Sequence, residues 1–498
     1  MGSSDGELKE RVRECVEDFV ETVREEQDSV PKLRIAAGDR MKRKEKIIDE
    51  PSRIITFYSS RQQEFFKETA EWMHETGNGF DLGEPTDPDD EEVVFLGAPE
   101  DYEPPKEPNL FSYINALFNF AGTVMDYSGG YVVTEDGFNR AYEEHWLPKY
   151  ETGLDSFELI IPLHFFNIPR DDETVIELSP EFELRRRQHN YYRIESLRIC
   201  PITDEERRGI HTSSAGRGER FNLNPVDACE YKIYAKVAAR EPEGTFYDPG
   251  EEVGERLATA LRLFDPDPET GDLVVGTTFR REPNWLEFRE GIPDFTVIGD
   301  ANKDRTQRQE AYLLYPDSIE DFAEFWGRHC QRIRLDEDGQ FTRSIQRFNE
   351  IWSKRFYEDQ LLDCLIGLEG LLLQGVSSGS SITFRLKLRG GQVLHDSLSY
   401  DRKYIQRFLQ DIYSLRGDIV HENQYLANVL DKNSGLKILD EEFDHPKDVV
   451  AEARRFMGAS VVEYMELAEK TGLSIDKIGE KMDEAALDVD STELFCEP

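Results

Sequence analysis

The chain has 498 residues, with 102 acidic against 60 basic side chains and a formal net charge of −42 at pH 7. That balance excludes a broad basic groove for nucleic acid, and it would self-repel in dilute buffer. It suits a cytoplasm of molar salt, where the screening length falls to about 3 Å. A salt-adapted, haloarchaeal-type host is therefore expected, the alternative being an ordinary host with a basic partner. Six cysteines are scattered without a Cys-x-x-Cys pair, and nine histidines form no metal-spaced cluster. Reduced thiols are expected, with no metal and no cofactor. The first forty residues are charged throughout, and the longest apolar run, Leu361 to Val376, contains Asp363 and Glu369 and is too short to span a bilayer. The expectation is a cytoplasmic protein with no membrane segment.

Residues 1–77 read as a charged helical segment. From Glu7 to Glu26, Val12, Val16, Phe19, Val20 and Val23 share one side of a helix, and 64–75 is helical again. Met41 to Lys46 is a basic cluster, read as a solvated face or linker. Residues 78–108, rich in Gly, Pro, Asp and Glu, read as an acidic linker.

Residues 109–334 read as an α+β domain. Phe111 to Met125 is an apolar helix or hairpin arm. Strand signals follow at Phe157–Ile168, Thr174–Leu178, Tyr191–Ile194 and Cys229–Val237. Arg207 to Asn224 reads as a flexible excursion, Glu252 to Phe264 as a helix, and 273–279 and 294–297 as strands. Ser318 to Arg334 is a helix with Ser318 as its N-cap. There is no Walker motif, dinucleotide fingerprint or Gly-x-Ser-x-Gly elbow.

Residues 335–475 read as an all-α bundle. Thr342 to Gln374 is expected to form one helical stretch, with Leu361, Leu365, Leu368 and Leu372 on one stripe. Leu362, Ile366, Glu369 and Leu373 form the neighbouring stripe. Glu369 is thus a carboxylate among apolar positions and needs a partner, for which an arginine is the natural choice. A Gly/Ser loop, 376–381, ends that stretch. Tyr404, Phe408, Ile412, Leu415 and Ile419 then mark the apolar face of a further helix, near whose end stand Arg416 and His421. An always-charged guanidinium can hold a phosphate, and a histidine can move a proton near neutral pH.

The spacing alone is weak. Forty arginines and nine histidines give roughly 0.7 such pairs by chance. A second copy, Arg140 to His145, encloses Glu143 and Glu144, which would repel a phosphate. The looser Arg389 to His395 encloses Gly390 and Gly391, a poor helix interior. Asp418 reads as a solvated residue or one that orients an arginine. Tyr413 and Tyr425 could stack a base or fill the core. Pro446 opens a helix over 449–467, a short helix follows from Thr471, and 476–498 is an acidic tail.

Three segments in order, Leu361 to Leu373, Phe384 to Arg389 and Ile412 to His421, resemble the ApeA-like branch of the HEPN domains over about residues 340–470. The resemblance implies a dimerising all-α bundle that brings two Arg416/His421 pairs into one cleft and cuts RNA without metal. Glu369 and Asp418 would support that pair. It also implies that the α+β region senses a trigger ligand or a phage protein, or restrains activity, in antiviral defence. The sequence departs where Gly417 follows the arginine, a position often polar in these nucleases. Two alternatives stay open: a catalytically silent HEPN module for dimerisation or binding, and a toxin-like ribonuclease controlled by a partner protein.

Overall fold

The computed structural model describes residues 4–26, 65–73, 75, 108–147, 155–169, 174–182, 191–215, 229–240, 249–265, 273–282, 294–297, 311–334, 339–373, 382–422, 425–430, 443, 445–473 and 477–478. The basic cluster at 41–46, the linker up to residue 107, the Gly/Ser loop at 376–381 and most of the acidic tail lie outside them. The fold is mixed, with an antiparallel sheet in the middle region and helices at the C-terminus. The chain forms two compact units.

The first unit takes 1–162, 183–251 and 276–301. Helix α1 (Ser4–Glu26) buries the valine-rich side that its spacing marks out, Val12, Val16, Phe19, Val20 and Val23. That side packs with Phe66, Ala70 and Met73 of the helical segment α2 (65–73), and with Leu117, Ala121 and Val124 of α3 (Pro108–Ser128). Thr134 caps α4 (Glu135–Ala141) by accepting from the Gly137 amide at 3.0 Å. The helix then loosens into a π-turn at Tyr142–Trp146, which buries Trp146 against Phe120.

The sheet of this unit uses β1 (Asp155–His164), β2 (Tyr191–Pro201), β3 (Tyr231–Arg240), β4 (Phe279–Glu282) and β5 (Asp294–Val297), in the order β2-β3-β1-β4-β5. β2 and β3 pair antiparallel from Tyr191↔Arg240 to Pro201↔Tyr231, with a bulge between Ile194 and Ser196. Phe279 pairs with Ile160 on one side and Val297 on the other. Between β2 and β3 lies α5 (Asp204–Ala215). The expected excursion at 207–224 is therefore helical over its first nine residues, because Thr203 and Glu206 exchange side-chain-to-backbone bonds that start a helix.

The second unit takes 163–182, 252–275 and 302–498, so it joins 302–334 to the C-terminal helices. Here α6 (Pro249–Phe264) is tied by polar bonds: Tyr312 donates its hydroxyl proton to Leu261 O, and Arg262 reaches Leu273 O at 2.9 Å. Helix α7 (Ile319–His329) starts from a 3₁₀ turn at Pro316–Ser318. Ser318 stands at the N-cap position, but its αR backbone gives no side-chain cap bond, so the expected Ser318 cap is corrected.

The helical stretch expected over 342–374 is two helices, α8 (Gln340–Ile351) and α9 (Tyr357–Leu372). The chain turns at 352–356, where Ser353 closes back on Glu350 O. Then come α10 (Ile382–Ser397), α11 (Arg402–Glu422), α12 (Leu426–Leu430) and α13 (Pro446–Thr471). Helix α9 packs on α8, α11 and α13, and α10 on α11. The expected weakness at Gly390–Gly391 is overturned, since both lie inside α10. A Cβ on Gly390 would stand 2.3 Å from Leu409 Cδ1, so the missing side chain is what lets α10 approach α11.

Candidate functional site

Arg416 stands one helical step past the buried stripe of α11. Phe408, Ile412 and Leu415 are fully buried and Ile419 nearly so, whereas Val420 is exposed. The arginine therefore sits on the rim, its side chain 42 % exposed. Across from it, α9 buries Leu361, Leu365, Leu368 and Leu372, the stripe expected from their spacing. The neighbouring stripe is more open: Ile366 is exposed and Glu369 half-buried.

The expected arginine partner of Glu369 is Arg416. Arg416 Nη1 lies 3.4 Å from Glu369 Oε1. Burial pushes the Glu369 carboxyl above its ordinary range, and the Arg416 charge pulls the other way. Oε1 accepts no well-aligned hydrogen bond, so the contact is one of charge, and guanidinium donors stay open to a second anion. The Tyr413 ring centre is 6.0 Å from the guanidinium carbon. Asp363, the other acidic residue of α9's apolar face, belongs elsewhere: it meets Arg347 at 3.1 Å and Lys354 at 3.7 Å. Asp418 is half-exposed between Gly417 and Ile419. His421 is the penultimate residue of α11, and its side chain lies outside the described residues. Five helical steps turn about 140°, so an undistorted helix aims the two side chains apart.

The two decoy pairs are held in structural bonds. Tyr127 has a single hydroxyl proton, which it donates to Glu144 Oε2 at 2.8 Å, so at 2.9 Å it accepts from His145 Nε2. Arg140 Nε donates to Glu144 Oε1 at 2.9 Å while its guanidinium lies 4.4 Å from the Tyr127 ring centre. Burial, followed by the charge of Lys236, lowers the pKa of His145. In the looser pair, fully buried Arg389 donates to Leu372 O at 2.9 Å, and His395 Nδ1 lies 2.6 Å from Tyr400 O.

Beyond the end of α11, a cavity of about 600 Å³ is lined by Phe356, Tyr425, Arg355, Asn428 and His445 among others. Of these the sequence singles out Tyr425 alone; the adjacent Arg355 and Phe356 are the signal that could have found the rest. Among the described residues no group of three His, Cys, Asp or Glu side chains is placed to hold a metal. No described helix is long and apolar enough to cross a membrane. No family model matches the chain, and neither does any curated protein or solved structure.

Proposed function

We propose that the chain is an endoribonuclease of the HEPN type that needs no metal, acting as a homodimer on RNA. In this reading the α+β region senses a trigger or restrains activity in antiviral defence. The observation that carries it is the half-exposed Arg416, set beside Glu369 on the helix that bears His421. RNA cleavage by internal attack requires three things: loss of the 2′-hydroxyl proton, neutralised phosphate oxygens and a proton for the departing 5′-oxygen. Arg416 holds the phosphate as charge builds, and His421 moves a proton. Acid and base are two groups whereas one chain supplies one histidine, so a two-fold dimer completes the site.

The Glu369 contact also favours a second reading, a silent dimerisation or binding module in which Arg416 only pairs with a half-buried carboxylate. Incubating the full chain with total RNA in molar KCl and EDTA separates the two. Fragments ending in 2′,3′-cyclic phosphate support the nuclease. Intact RNA, with intact growth on overexpression, supports the silent module.

A further inference from the structure

The cavity beyond α11 has walls of an unusual kind. Phe356 and Tyr425 keep 53 % and 65 % of their surface exposed, yet both line it. Exposed aromatic rings that line one cavity mark a place where a planar partner stacks. The volume, about 600 Å³, falls within the range of small-ligand sites. Polar groups surround the rings. The Arg355 guanidinium carbon is 5.7 Å from the Phe356 ring centre. Asn428 offers an amide that both donates and accepts. His445 Nδ1 accepts from the Lys447 amide at 3.0 Å, which keeps the ring proton on Nε2 as a donor.

The position follows from two contacts. Glu369 of α9 meets Arg416 of α11, and Glu358, at the start of α9, accepts from the Leu426 amide at 2.7 Å. The two helices thus run antiparallel, and the cavity lies off the His421 end of α11. It is about 16 Å along α9 from the Arg416 pair, at roughly 1.5 Å per residue. The charge of the chain narrows the occupant. With a net charge of −42, little affinity for a polyanion comes from counterion release, which leaves stacking and hydrogen bonds.

We propose that this cavity binds one nucleobase of single-stranded RNA. The base stacks on Phe356 and Tyr425, and Arg355, Asn428 and His445 meet its edge or flanking phosphate. The proposal rests on the nuclease reading in so far as the same strand continues to Arg416.

The test uses the full chain and a fluorescent 2′-O-methyl oligoribonucleotide, whose blocked hydroxyl cannot attack, so binding is read whether or not the chain cuts RNA. In molar KCl, an abasic strand of equal length is expected to bind about 5- to 150-fold more weakly. Phe356→Ala and Tyr425→Ala are expected to show losses in the same range for the base-bearing strand, and Tyr425→Phe to bind as the native chain does. Equal affinity for base-bearing and abasic strands, unchanged binding by both alanine variants, or no binding at all overturns the proposal. The abasic comparison needs no variant and so survives a folding defect. A cavity built for a protein segment gives unchanged RNA binding in the variants. Base-dependent binding by a chain that never cleaves RNA keeps the cavity assignment and sinks the nuclease; cleavage without base-dependent binding does the reverse.

Discussion

Arg140–His145 and Arg416–His421 share one spacing and differ in nearly everything around it. In the first, each polar group is already matched. Glu144 receives Arg140 and Tyr127, and Tyr127 in turn receives His145, at the π-turn that ends α4. In the second, Arg416 stands at the rim of a leucine-rich bundle with one carboxylate at 3.4 Å and a wide share of its surface open. A side chain with its bonds filled by neighbours is a strut, whereas one with spare donors at a rim can meet a ligand. Spacing does not distinguish the two; neighbours do.

The hardest way to break this contrast is to remove each histidine in turn. His421→Ala and Arg416→Ala are each expected to reduce RNA cleavage by about 10²–10⁴-fold, the usual share of a positioned acid–base group. His145→Ala is expected to cut normally if folded. A gel assay on the full chain reads all three, with circular dichroism as the folding check. Equal cleavage by native chain and His421→Ala would remove the distinction between the two pairs.

A histidine outside both pairs tests the argument from burial. His329 is fully buried, with neither ring nitrogen hydrogen-bonded, and burial holds its pKa down at about 4. A folded pKa below the unfolded value of about 6.5 means that the ring adds no pH-dependent cost above pH 6.5. As pH falls from there towards 4, protonation favours the unfolded chain and stability is lost. His329→Leu is expected to flatten the fall in melting temperature between pH 6.5 and 4. An unchanged slope would show that His329 finds a partner or water in solution.

Much of this was legible in the sequence, for a physical reason. Apolar periodicity reports burial, so the valine side of α1 and the leucine stripe of α9 stand where spacing puts them. Pro446 opens α13 because its missing amide costs nothing in a first turn. Partner choice was legible where cost forces it: Glu369 needed a cation, and Arg416 is beside it. What the pattern hides depends on neighbours far along the chain. The break at 352–356 carries no proline or glycine to mark it. Gly390 lowers helix propensity, yet here it serves the packing of α10 against Leu409. The bonds that fill Arg140 and His145 come partly from Tyr127, on a different helix.

Smaller effects sharpen the contrast. Tyr127→Phe removes the hydroxyl that joins exposed Glu144 to His145, leaving the partly buried His145 ring short of a bond while Glu144 keeps Arg140. A loss of about 1–2 kcal/mol is expected in denaturant melts. A neutral outcome would mean that water replaces the hydroxyl and that this pair is as open as the other.

The smallest effect belongs to Glu369→Gln, and its sign is informative. A carboxylate in a fully buried ion pair would lose several kcal/mol on such a change, because its partner is left uncompensated, but Arg416 is 42 % exposed and solvent screens much of the attraction. Burial raises the Glu369 carboxyl, so its ionised form costs stability that is absent below the unfolded carboxylate pKa and appears as pH rises through the higher folded value. Glutamine removes that cost together with the attraction, so the net change at pH 7 is expected to stay below about 1 kcal/mol. Cleavage is the more telling readout. If Glu369 only steadies Arg416, the glutamine variant loses a modest share of activity while its binding of RNA holds. If cleavage rises instead, Glu369 competes with phosphate for the guanidinium, and the rim arginine is held back in the resting chain rather than aimed.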